Sequence, residues 1–170
     1  MITKGKKIVV WAGLLLFGAA ALTHAEDTDL QKQINAIKSA LPKLAIPMHD
    51  VGERFQNMYY AAQAGNWALA AYQSKHMNDA MSPAKVTKPE KYAVWEDYYK
   101  TTFEPVNKAI KAQDFKKFEK EFNASIKTCD DCHVGMGYGY IKMKQMKGPS
   151  DQGMDYTIKS NVKDCVTCGW

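Results

Sequence analysis

The chain has 170 residues, 46% of them hydrophobic, and a formal net charge of +5. Lysine supplies nearly all of the positive charge, with Arg54 the only arginine, so no concentrated basic footprint points to nucleic acid. The length suffices for one domain around a single core.

The N-terminal stretch reads as an export signal. Lys4, Lys6 and Lys7 precede the apolar run Ile8–Leu22, and Thr23-His24-Ala25 sets small residues where a signal peptidase cuts, before Glu26. The run is shorter than the roughly 20 residues that span a bilayer core, so residues 1–25 are expected to be a cleaved signal peptide, not an anchor. Its removal takes away three lysines and no acid, leaving about +2. The expected location is the periplasm, with no stable membrane insertion after cleavage.

From Asp27 to Ile126 the pattern is helical. Leu41, Leu44, Met48, Val51, Phe55, Met58, Tyr59 and Ala62 recur at three- and four-residue steps and form one apolar stripe. Pro42 and Pro47 interrupt its start, so the continuous helix is expected from about Pro47. Gly65-Asn66 stops that helix and caps the next, which should run from Trp67 to about Met81. "SPAKVTKPEK" reads as a linker. A third helix carries Tyr92, Trp95, Tyr98, Tyr99 and Val106, with Pro105 kinking or restarting it. Asp114 caps a fourth, whose inner stripe is Phe115, Phe118, Phe122, Ile126 and Cys129. No segment alternates with period two and no internal repeat is evident. The expectation is an all-α fold, an antiparallel four-helix bundle, over residues 26–147. An irregular tail, 148–170, follows.

Chemistry concentrates in "CDDCH", Cys129 to His133. Cys-x-x-Cys-His is the attachment signal for c-type haem: two thiols reach the two vinyl groups and the next residue turns its imidazole onto the iron. Cys129 and Cys132 are thus the expected covalent anchors of one haem c, near the end of the last helix, and His133 the proximal iron ligand. A zinc cluster joining both Cys-x-x-Cys pairs ignores His133. A thioredoxin-like dithiol would need a strand before the motif, where the pattern is helical. The second pair, Cys165 and Cys168, has Gly169 where a haem motif has histidine. A short-loop disulfide is the plain expectation there, with free thiols the alternative.

"MHDVGERFQNMYYAAQAGNWALAAY", "DFKKFEKEFNASIKTCDDCH" and "GYGYIKM" give the chain a family likeness over about residues 46–141. Together they resemble class II c-type cytochromes, the four-helix monohaem proteins related to cytochrome c′, and in particular a periplasmic subgroup with a Gly-Asn-Trp turn. The terminal Cys-x-x-Cys departs from that pattern. The resemblance implies a haem packed between helices, and two behaviours within the family. Six-coordinate members place a first-helix methionine on the far side of the iron and carry electrons. Pentacoordinate members leave that side apolar and bind small gases.

The sixth ligand therefore divides the readings. Met48 lies on the apolar stripe with Val51 and Phe55, whereas His49, about 100° round the helix, shares its side with Gly52, Glu53 and Gln56. Met48 is the expected distal ligand and His49 the alternative; an ordinary core methionine is the plainer rival. His76 is expected at the surface and Met58 in the core. Phe55, Tyr59 and Phe122 face the right way to flank a haem, while the tyrosines and tryptophans of the first three helices read as core. No paired carboxylates, nucleophile–base pair or phosphate loop stands out, so an enzyme is not indicated. The expected partners are redox proteins. The family includes dimers that pair through their first two helices, and the sequence leaves a homodimer open.

Overall fold

A computed structural model describes residues 28–169. The expected signal peptide, 1–25, lies outside the described residues. The chain divides between Leu41 and Pro42. The described part of the first unit is a helix, α1, over residues 28–40, exposed along its length.

The second unit is all-helical, with no strand among the described residues. Its helices are α2 (Ala45–Ala64), α3 (Trp67–Ala80), the single-turn α4 (Ala84–Thr87), α5 (Pro89–Thr101), α6 (Glu104–Ala112) and α7 (Phe115–Gly135). A 3₁₀ turn, Val162–Asp164, follows in the tail.

Short signals in the chain set these boundaries. Gly65 ends α2 at φ +79°, a conformation that costs glycine little. Its N–H donates to Ala62 O at 3.0 Å while Asn66 N–H donates to Ala61 O at 2.8 Å, the paired bonds of a Schellman turn. Asn66 then caps α3 by accepting from Leu69 N. Asp114 caps α7 by accepting from Lys117 N at 3.0 Å. The third helix of the sequence reading is two elements. α5 stops at Thr101, and α6 restarts with Pro105 in its first turn, where the missing N–H leaves no hydrogen bond unmade.

Helix α2 packs on α3 and α7, and α6 packs on α3 and α7, so these four close a ring around the core. Met58, Met77, Met81, Phe103, Val106, Ile110, Phe118 and Phe122 are buried inside it. Full burial of such a side chain stabilises by about 1.5–3 kcal/mol.

The tail is irregular, as read, but it is strapped to the helices. Two buried amides on α2 hold the segment before it and its first residues. Gln56 Nε2 donates to Lys144 O at 3.1 Å and Gln56 Oε1 accepts from Met146 N at 3.1 Å. Asn57 Oδ1 accepts from Ser150 N at 2.9 Å and Asp151 N at 3.2 Å. Farther on, Ser160 Oγ donates to Asn66 Oδ1 at 2.6 Å and accepts from Ala68 N at 2.9 Å. These bonds satisfy backbone groups that an unstructured tail would leave to water.

Candidate functional site

The last two turns of α7 carry Cys129, Cys132 and His133, with residues 129 and 133 one helical turn apart on one face. All three line a single apolar cavity of about 490 Å³. Met48, His49, Val51, Gly52 and Phe55 line it from α2, Met77 and Met81 from the α3 side, and Trp95 and Tyr98 from α5. Tyr138, Tyr140, Ile141 and Met143, in the segment after α7, complete the wall. The size falls within the 300–1,000 Å³ usual for cofactor pockets, which are mostly apolar with a few placed polar groups.

His133 is oriented by the strand of chain that follows it. Gly137, at φ +83°, turns the chain back after α7, and Tyr138 N donates to His133 O at 2.6 Å. The backbone O of Ile141 then lies 3.1 Å from His133 Nδ1. With Nδ1–H donated to that carbonyl, Nε2 keeps its lone pair, the arrangement in which imidazole ligates a metal. Asp130 Oδ1 anchors the same segment by accepting from Met143 N at 2.7 Å.

The thiols are neutral and unequal. Burial pushes the Cys129 thiol up to about 11; the hydrogen bond with Tyr98, at 3.4 Å between Oη and Sγ, opposes that rise. Burial also raises Cys132, opposed by the positive charge of Lys91. A thioredoxin-type dithiol needs a depressed thiol pKa, so both shifts run against that reading. Tyr98 is buried beside Cys129, which holds its hydroxyl far above the ordinary tyrosine value.

The helix stripe places the two sixth-ligand candidates differently. Met48 is half-buried on the cavity wall. His49 reaches the rim, but its side chain is 76% exposed and its Nδ1 lies 3.9 Å from Glu53 Oε2.

The fit of a haem to these residues rests on Gly52 as well as on the donor set. A Cβ built on Gly52 meets nothing within 4 Å. Glycine inside a helix costs about 1 kcal/mol relative to alanine, and here no neighbour within the chain calls for it. The space it leaves belongs to the cavity, so two thiols, an imidazole nitrogen and a thioether line an apolar volume that the chain itself does not fill.

Two expectations need correction and one is extended. Phe55 lines the cavity, but Tyr59 and Phe122 do not; they lie behind it in an aromatic stack, with Phe55 and Phe122 ring centroids 4.0 Å apart. Trp95 and Tyr98, read as core, are buried and also form cavity wall, because α5 crosses that end. His76, read as surface, is half-buried; its ring sits 4.2 Å from that of Tyr72, and burial lowers its pKa. Met58 is core, as expected. Met77 and Met81, which the helical pattern put on one side of α3, also line the cavity, and Ile141 and Met143 were missed because the irregular segment after α7 has no periodicity to show which way it faces.

Cys165 and Cys168 form a disulfide, while Cys129 and Cys132 are free. The second pair thus has no thiolates to contribute to a four-cysteine zinc cluster. No family model, curated protein or solved structure matches the chain. Fold and site define an all-helical protein with an apolar cavity faced by a Cys-x-x-Cys-His motif.

Proposed function

We propose that the protein is an exported, periplasmic monohaem c-type cytochrome of the four-helix-bundle kind, and that it carries electrons between redox proteins. One observation carries this reading: Cys129, Cys132 and His133 reach a single apolar cavity from α7, and Met48 reaches it from α2. The closed ring of α2, α3, α6 and α7 supports the bundle. Among the described residues no helix is long and apolar enough to cross a membrane.

In this reading Cys129 and Cys132 would hold the haem as thioethers, with His133 Nε2 and Met48 Sδ as the axial donors. A haem so held supplies an iron that exchanges one electron between ferric and ferrous states. The chain's own residues set the conditions. Ile141 O fixes the rotation and tautomer of His133. The thioether of Met48 favours the ferrous state, and the walls formed by Val51, Phe55, Met77 and Met81 exclude water and disfavour the additional charge of ferric iron. Both effects raise the reduction potential.

Val51 and Phe55, buried on the wall beside Met48, support a second reading: an open distal side that binds a small gas. Intact-mass measurement of the exported protein, with visible spectra in both oxidation states and a carbon monoxide titration, tests the two. A single covalent haem, a low-spin ferric spectrum and weak carbon monoxide binding are expected for the electron carrier. High spin and tight binding would select the gas site. A mass equal to the bare polypeptide would end both.

A further inference from the structure

The disulfide between Cys165 and Cys168 has no part in that reading and ties no two elements together. Its partners are three residues apart, and the stabilisation a disulfide gives by restricting the unfolded chain grows with loop length, so it is least here. The turn also closes without it. Cys168 N donates to Cys165 O at 3.2 Å, and Cys165 N to Val162 O at 3.2 Å. Asn161 and Asp164 cap each other's backbone immediately before, and Val162 is buried against the helices. Backbone bonds thus hold the two sulfurs near one another whether or not they are joined.

The pair is reachable and its surroundings are uneven. Between the cysteines, Val166 is 94% exposed. Cys168 shares a recess of about 250 Å³ with Lys108, Lys111, Glu104 and Asn107 of α6. Glu104 Oε1 lies 3.5 Å from Lys108 Nζ, whereas Lys111 has no ion pair among the described residues. Positive charge beside a sulfur favours its thiolate, the form in which a cysteine leaves a disulfide or attacks one.

We infer that Cys165–Cys168 is a redox-active disulfide that accepts two electrons from a dithiol protein. A thiolate of that partner attacks Cys165 Sγ, an S–S bond forms between the two proteins, and Cys168 departs as the thiolate beside Lys108 and Lys111. The partner's second thiolate then attacks its own sulfur in the mixed disulfide, and Cys165 leaves. The partner ends as a disulfide; this chain ends with two thiols, having gained two electrons and two protons. The inference stands apart from the haem, and the exposed Val166-Thr167 turn is the surface such a partner would meet.

The test uses the mature, haem-loaded protein equilibrated in graded mixtures of reduced and oxidised dithiothreitol, alkylated, and weighed intact. Peptide mapping should show an alkyl group on each of Cys165 and Cys168, gained without denaturant and lost again in oxidising mixtures, whatever Cys129 and Cys132 carry, while the helical circular dichroism persists. In Cys165→Ser, the remaining Cys168 should alkylate at pH 7 about threefold to tenfold faster than Cys165 does in Cys168→Ser. Lys108→Met with Lys111→Met should narrow that difference. A disulfide that yields only after denaturation, or whose reduction unfolds the helices, would make it a structural staple and overturn the inference. Equal alkylation rates of the two single thiols would overturn the role given to Cys168.

Discussion

Helices α2 and α7 face each other along their length, yet their two ends are packed in opposite ways. Around Phe55 and Tyr59 the space between them is filled: Phe55 stacks on Phe122, Tyr59 lies 5.1 Å from Phe122, and Phe118 5.5 Å from it. Tyr59 Oη donates to Glu119 Oε1 at 2.7 Å, so even the polar tip is satisfied. Towards Met48 and Cys129 the same pair leaves a cavity of about 490 Å³. Interiors are packed to crystal density, and voids larger than a water are few. One end was completed by the chain's own rings. The other carries glycine, methionine and cysteine, and the chain's own side chains leave it open.

The largest expected effect lies at the filled end. Phe122→Ala should cost about 3–5 kcal/mol in urea unfolding, because the cavity left among fixed rings cannot collapse. Its intact mass should still include one haem; a variant that folds normally but lacks the haem would show that the two ends are not separate.

At the open end, Met48→Ala should cost about 2–3 kcal/mol, the low part of the range for a half-buried methionine. Its distinguishing readout is spectroscopic: the ferric protein should turn high-spin, the potential should fall, and carbon monoxide should bind readily. His49→Ala should leave the spectrum as it was. A spectrum that answers to His49 and ignores Met48 would assign the ligand to histidine.

Asn57→Ala removes the acceptor that holds Ser150 N and Asp151 N, at about 1–2 kcal/mol, since water can reach those amides. Hydrogen exchange should quicken at Ser150 and Asp151 while α7 stays protected. Gly52→Ala should stabilise the haem-free protein by about 1 kcal/mol through helix propensity. In the haem-loaded protein that gain should vanish or reverse; an equal gain in both forms would mean the space at Gly52 is not used.

The smallest effect concerns pH. Burial, then the charge of Lys75, lowers the pKa of His76, while Asp79 opposes them; Arg54 lowers it further and Asp50 raises it. The unfolded chain therefore takes up the proton first. Stability from this site is complete above the ordinary histidine value of about 6.5 and is lost as pH falls from there through the folded-state value. His76→Gln should flatten that acid-side decline in thermal midpoint, and an unchanged slope would place the decline elsewhere.

The end of α2 and the starts of α3 and α7 were legible because each is fixed by neighbours a few residues away, whereas the stretch read as a linker, 82–91, holds α4 and the start of α5. Gly65-Asn66 announces a Schellman turn and a cap in two letters, and Asp114 announces the start of α7. That Cys129, Cys132 and His133 share one site was legible for a similar reason, since residues this close on one helix reach the same cavity. Pro105 was ambiguous: proline kinks a continuing helix or opens a new one, and only the packing of α6 on both α3 and α7 chose.

What the tertiary structure alone decided involves partners far apart in the chain. Gln56 meets Lys144 across 88 residues and Asn57 meets Ser150 across 93, and nothing in either segment names the other. Trp95 and Tyr98 carry the same apolar pattern whether they face a core or a cavity, so periodicity could say that they are inward but not what they border. The reason is one of range. Caps, turns and the Cys-x-x-Cys-His motif are settled within about one helical turn of chain, where the pattern of residues is itself the geometry. The shape of the cavity depends on which helices meet and how far their side chains reach, and those contacts exist only after the chain has folded.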